Sequence, residues 1–330
     1  MSKNINIKIK NHTSFKDKKN KGFSELVLNF TGKDVNHIII NSIKRVIQTD
    51  IPIFGFDTFT FSNNSTVFNN NYIKNHIKNI PVWGIENTLD EYIYTSDQNE
   101  EEEYEEIINN DDIDLSVKKD VDYSSINKLT MYLDYKNKKN EIIHATTDDC
   151  IFYYKEGKIP SPYHNPVQII KLQPKQEIKF SVQANPGTND FSSIYSATAA
   201  CYFKENNEHD YDFIIESRGQ LSEQRIIQIA LRLIIKKLNK FMQNLPKNKG
   251  LEEILKIENE DHLLGNLLTY KMQQMNSVKF CGYTTSHPLN KEIELEYKLN
   301  TGNINTIFKE VVSYYENIFD QIDKEISKIK

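Results

Sequence analysis

Residues 258–272 read ENEDHLLGNLLTYKM, and residues 33–47 read KDVNHIIINSIKRVI. Each stretch places an acid ahead of a His, an Asn four positions after that His, and apolar residues at helical spacing. In the earlier stretch Val35, Ile38, Ile39, Ile43, Val46 and Ile47 form an apolar stripe that leaves Asn41, Lys44, Arg45 and Gln48 on the opposite face. Asp34 and Asp261 stand where N-caps are expected, since a short carboxylate can accept the free N–H groups of a first helical turn. Pro52 ends the first helix.

The flanking sequence repeats as well. FSELVLNF at 23–30 precedes the first helix and EILKIEN at 253–259 the second, both read as strands. FGF in the strand at 54–61 answers CGY at 281–283, with Asn41 preceding Gly55 by 14 positions and Asn266 preceding Gly282 by 16. A strand (DFIIES, 212–217; EIELEYKL, 292–299), a turn (GQL at 219, GNI at 302) and a long helix close each copy. Ser222 caps a helix from Glu223 to about Met242, and the last helix starts near Ile304. The chain is read as a duplication whose second copy, 246–330, is continuous and whose first, 1–83 and 206–245, is split.

Residues 84–205 are expected to form an inserted β-rich domain. KLTMYLDY (128–135), VQIIKL (167–172) and EIKFSVQA (177–184) read as strands, and Pro160, Pro162, Pro166 and Pro174 break the sequence between them. The acidic run at 99–114 reads as a solvated loop. A sheet with two amphipathic helices cannot cover itself, so each copy needs the other. The predicted fold is therefore α+β, an intramolecular pseudo-dimer of two units with a mixed sheet and two helices each. Its seams are Ile38, Ile39 and Ile43; Ile227, Ile234 and Leu238; Leu264, Leu267 and Leu268; and Phe308, Val311, Tyr315, Ile318 and Ile322.

Composition narrows the function. With 330 residues and 38% apolar content the chain can fill real cores, and its formal charge of -5 argues against a free-standing nucleic-acid binder. No secretory leader or membrane span is read, so an intracellular protein is expected. Cys150, Cys201 and Cys281 are widely spaced, encoding neither a disulfide framework nor a paired-cysteine metal site. His37 and His262 stand in first helical turns, where local packing explains them. Cys281 and His287 lack an orienting third group, and Asp111, Asp112 and Asp114 continue the acidic run. No catalytic residue, cofactor or metal is expected.

Residues 41–83, from NSIKRVIQ through FGFDTFTF to NIPVW, resemble the third-largest subunit of RNA polymerase II, the archaeal D subunit and, more distantly, the bacterial α subunit. IESRGQLSEQRIIQIAL at 215–231 is similar to their returning strand and second dimerisation helix, and 257–329, with IENEDHLLGNLL and CGYTTSHPL, resembles the eleventh subunit and archaeal L. One chain joining both resembles the polymerases of large cytoplasmic DNA viruses. The resemblance implies two α-subunit-like dimerisation units and a non-catalytic scaffold that docks the two largest subunits, with small assembly subunits of the tenth or twelfth type. Asn41, Lys44, Arg45 and Gln48 would form the docking face, with nucleic acid touched only through the complex and no membrane. If the source is viral, host cytoplasm and virion are the implied locations. The chain lacks the metal-binding cysteine cluster of many relatives, and NDFSSIYSATAA at 189–200 departs from their motif. The alternatives are a free-standing nucleic-acid-binding protein or an enzyme that reuses the fold, housed for example in the inserted domain.

Overall fold

Leu26, Leu28 and Phe30 are fully buried and the residues between them only half-buried, so strand β2 (Glu25–Thr31) carries the period of two of a sheet with one covered face. The computed structural model describes residues 5–13, 24–83, 129–155, 157–163, 165–245, 250–285 and 291–328. Among these are five α-helices: α1 (His37–Thr49), α2 (Asn70–Lys78), α3 (Glu223–Gln243), α4 (His262–Met272) and α5 (Ile304–Ile326). The chain divides into two compact units. One comprises Met1–Ile51, Thr198–Ser217 and Ser222–Lys330, and the other Pro52–Ala197 with Arg218–Leu221.

The first unit contains both copies. In the first copy, β2 lies between β1 (Asn6–Thr13) and β11 (Asp210–Ser217), and β10 (Thr198–Asn207) pairs with the far side of β11. In the second, β14 (Glu292–Leu299) lies between β12 (Glu252–Glu258) and β13 (Val278–Thr285). Both sheets are antiparallel throughout, not mixed, because every strand pair is joined in the antiparallel sense. The correspondence of FGF with CGY also changes: the place that β13 holds beside β14 is held beside β11 by β10, not by the strand containing FGF.

Helix α1 buries Ile39, Ile40, Ile43, Val46 and Ile47 against β10, β11, α3 and α4. Ile40 takes the fully buried place expected for Ile38, which is half-buried, because this helix is covered on more than one side. Its N-cap is Asn36, whose Oδ1 accepts from the N–H groups of Ile38 and Ile39 at 3.0 and 3.1 Å, and not Asp34, which stands in the preceding turn. Glu223 opens α3 from a buried position, where its carboxylate accepts from the Ser24 hydroxyl and from the Ser217 N–H at 3.4 Å, so one side chain ties β2 and β11 to the helix.

Helices α3 and α5 pack on one another, with Phe241 and Phe308 edge to face at 5.0 Å. Within the second copy α5 packs on α4, and the buried Tyr315 hydroxyl donates to the Leu267 carbonyl at 2.8 Å. Gly265 of α4 admits the Tyr283 ring, which a β-carbon there would meet at 2.5 Å. The long helices begin at N-caps Ser222 and Asn303, so Gly219 lies three residues before its cap and Gly302 one before, and the two turns are not position-for-position copies.

The second unit holds a five-stranded antiparallel sheet ordered β3-β9-β4-β6-β7, formed by β3 (Ile53–Asn64), β9 (Glu177–Gly187), β4 (Thr130–Lys136), β6 (Ile151–Tyr154) and β7 (Gly157–Ile159). A two-stranded sheet of β5 (Ile143–Thr146) and β8 (Gln168–Leu172) accompanies it. FGFDTFTF belongs here because β3 pairs along its length with β9. Tyr195, from the stretch at 189–200, lies across Gly55 and Gly187, where a β-carbon would approach its ring to 2.9 and 2.8 Å, and its hydroxyl donates to Asp57 at 2.9 Å. Gln220 accepts from the Phe54 N–H at 2.7 Å and donates to the carbonyls of Phe54 and Val82 at 2.9 Å each, while Gly219, at φ +88°, clears the Trp83 indole.

Two substitutions measure this packing by chemical denaturation. Phe308→Ala is expected to destabilise the chain by about 3–5 kcal/mol, the cost of emptying an aromatic site at a helix seam. Gly265→Ala is expected to cost about 1–3 kcal/mol through overpacking against Tyr283, and an unchanged midpoint would show that the ring is free to move aside.

Candidate functional site

The polar face of α1 does not point wholly into solvent. Asn41, Lys44, Arg45 and Gln48 are all half-buried. Lys44 Nζ lies 5.6 Å above the ring of Phe203 on β10, and Gln48 Nε2 donates to the Cys201 carbonyl of the same strand at 3.0 Å. Arg45 reaches into the second copy, where its Nη2 is 2.6 Å from Oδ2 of Asp261, the N-cap of α4. Of the four residues, then, Gln48 and Lys44 engage strand β10 of their own sheet, Arg45 joins the two copies, and Asn41 lies beside them on the same face.

A shift of 225 positions maps one helix onto the other: Asn36 onto Asp261, His37 onto His262, Asn41 onto Asn266 and Gln48 onto Gln273. The last equivalence is present in the sequence as a Gln seven residues after each Asn, but Gln273 lies just past α4, outside the helical pattern. Gln273 Nε2 donates to the Cys281 carbonyl at 2.8 Å, as Gln48 does to that of Cys201, which identifies β10 and β13 as equivalent strands by a second criterion. In the second copy, Asn266 Oδ1 accepts from the Tyr283 hydroxyl at 3.0 Å, and His262 Nδ1 lies 3.2 Å from the same hydroxyl oxygen. This His therefore serves local hydrogen bonding on an exposed first turn.

The seam residues Ile39, Ile43, Ile227, Ile234, Leu238, Leu264, Leu267, Leu268, Phe308, Val311, Tyr315, Ile318 and Ile322 are all buried. Burying an apolar side chain of this size is worth about 1.5–3 kcal/mol in transfer terms.

Charges collect where α1 meets the loop before α4. Burial acts to lower the Lys237 ammonium of α3, but Asp50 at 2.8 Å, with Glu260 and Asp261 nearby, outweighs it and raises the pKa. Burial raises the Asp261 carboxyl, but the Leu263 N–H and the Arg45 guanidinium outweigh it and hold the group below the usual carboxylate range. The stability Asp261 lends is complete above its ordinary value of 3.8 and is lost only as pH falls below that. Glu260 is displaced upward by burial, only partly opposed by Lys237, and its Oε2 is buried without a hydrogen bond. Arg45 and Asp261 are each more than a third exposed, so their attraction is worth about 0.2–1 kcal/mol.

The three thiols are raised to about 12 by burial first of all, so they are protonated at neutral pH and poor nucleophiles. Among the described residues no group of three or more His, Cys, Asp or Glu could hold a metal ion, and no helix is long and apolar enough to cross a membrane. His287 and the acidic run with Asp111, Asp112 and Asp114 lie outside the described residues.

Residues 252–325, the second copy almost from end to end, match the RNA polymerase Rpb3/Rpb11 dimerisation domain. A protein of Acanthamoeba polyphaga mimivirus, named as DNA directed RNA polymerase subunit R470, is 25% identical over an alignment 326 positions long that covers 91% of each chain. A Plasmodium falciparum protein named as DNA-directed RNA polymerase II subunit RPB11 is 34% identical over 85 residues, 23% of this chain and 68% of that one. The RPAC2 subunit of RNA polymerases I and III of Schizosaccharomyces pombe is 31% identical over 72 residues, 22% of this chain and 56% of its own. The mimivirus match runs through both copies and the insertion, and the RPB11 match has the length of one copy. The chain thus belongs to the family of RNA polymerase subunits built on the Rpb3/Rpb11 dimerisation domain.

Proposed function

We propose that this chain is the assembly subunit of a multisubunit DNA-directed RNA polymerase, a non-catalytic platform that supplies in one polypeptide the pair of dimerisation units that separate subunits supply elsewhere. The observation that carries this reading is the pairing of α3 with α5, which joins the returning helix of the first copy to the last helix of the second within one compact unit. The near full-length likeness to the mimivirus protein supports the single-chain arrangement and a viral setting.

The partners are other polymerase subunits. The largest and second-largest are proposed to dock on the platform, the second-largest through the α1 face of Asn41, Lys44, Arg45 and Gln48, with small subunits of the tenth or twelfth type alongside. The β-rich unit running from Pro52 to Ala197 supports reading that region as an insertion in the first copy. An intracellular location follows from this role. For a viral source, transcription in the host cytoplasm and packaging in the virion extend the same proposal.

Gentle purification of the tagged chain from its native source, followed by mass spectrometry, tests the reading. Two very large polypeptides at one copy each, with template-dependent RNA synthesis in the eluate, are the expected result; a lone chain, or one bound to DNA without large partners, counts against it. Lys44→Glu is expected to lower recovery of the second-largest subunit at least about tenfold, the size of a 1.4 kcal/mol loss, while circular dichroism of the free chain stays unchanged. Full recovery with the folded variant would remove Lys44 from the docking face. Arg45 is kept in that experiment because it already holds Asp261.

A further inference from the structure

Where α1 and α3 meet the loop before α4, the charges are arranged one way. Both cations, Arg45 and Lys237, come from the first copy, and the second copy supplies Glu260 and Asp261. Under the 225-residue shift, Arg45 corresponds to Tyr270, Asp261 to Asn36 and Glu260 to Val35. Counting from the N-caps Ser222 and Asn303, Lys237 corresponds to Ile318. A pairing of two second copies would set Glu260 and Asp261 against Tyr270 and Ile318, leaving the acids with no cation across the junction. A pairing of two first copies would set Arg45 and Lys237 against Val35 and Asn36, neither of them an acid, with Asp34 one position before; of its present partners Lys237 would keep Asp50 of its own copy. The apolar seams add burial from both copies, but their equivalent positions differ in size, with Ile227 answered by Phe308, Ala230 by Val311 and Ile234 by Tyr315, so the charges act alongside shape.

We propose that Arg45 and Lys237, facing Glu260 and Asp261, set the choice of partner, so that a first copy accepts only a second copy. Selectivity of this kind is a difference between the native pairing and its rivals, and it arises from what the rivals leave unpaired, even where the native ion pair itself adds little. The same surface defines what could replace the partner within the chain: the second copy of another molecule of this protein, through exchange between two chains.

Two differently tagged full-length chains test the proposal, one carrying Arg45→Glu and the other Asp261→Lys. Within each chain like charges now face one another. Exchange between the chains sets the introduced glutamate opposite the introduced lysine, and at the second junction leaves the unchanged Arg45 opposite the unchanged Asp261. Co-expression is expected to raise cross-capture of the tags at least about tenfold over the wild-type pair, a 1.4 kcal/mol preference, and to give a dimer mass by light scattering, while a single chain carrying both changes is a monomer. If all chains fold and the mixture stays monomeric, or if the doubly changed chain dimerises equally, the proposal is overturned. Should a single reversal unfold the chain, melting of the double variant decides: recovery to within about 2–4 °C of wild type supports the coupling, and additive loss overturns it. These readouts use the isolated chain and are independent of whether large polymerase subunits bind it.

Discussion

Neither copy can shield its own helices from water, and this need to cover one another is the constraint on which the rest of the structure depends. A three- or four-stranded sheet covers one side of a helix layer and leaves the other side apolar. In this chain the exposed sides are placed together: α3 lies on α5, Phe241 meets Phe308, and α1 approaches α4. The polar features are arranged around that burial. Gln48 and Gln273 fix each first helix to its strand by the same bond, and Arg45 links the two helices at their edge.

The elements that bury a regular stripe are legible in the sequence. The helices at 37–49, 223–243, 262–272 and 304–326 announce themselves by apolar spacing, and three of their N-caps, Ser222, Asp261 and Asn303, carry side chains suited to the task. The first cap is harder because Asp34 and Asn36 are both competent by residue type; only the backbone, extended at Asn36, decides between them. Strands β1 and β10 are hidden for a different reason. Both lie at sheet edges with much of one face in solvent, so their sequences, NIKIKNHT and TAACYFKENN, are too polar to show the alternation clearly.

The polar face of α1 is less legible than the fold. Helical spacing places Asn41, Lys44, Arg45 and Gln48 on one side, but it cannot say that Gln48 is committed to Cys201 or Arg45 to Asp261. Those partners stand 153 and 216 positions away, beyond any local pattern. The mismatch of FGF with CGY has a related cause: Gly55 of β3 makes room for the Tyr195 ring, whereas Gly282 meets only Phe280 of its own strand and it is Gly265 that admits the Tyr283 ring.

The insertion has a consequence for the order in which the chain becomes structured. Leu28 of β2 pairs with Phe213 of β11, 185 residues further on, whereas Leu255 of β12 pairs with Leu295 of β14, only 40 further on. Closing the longer loop costs about 1.4 kcal/mol more in chain entropy, and during synthesis β2 and α1 emerge long before the strands and helices that cover them. The last-made copy is then the quicker to close. Its sheet forms from neighbouring stretches of chain, whereas the sheet of the first copy has to bridge the whole insertion.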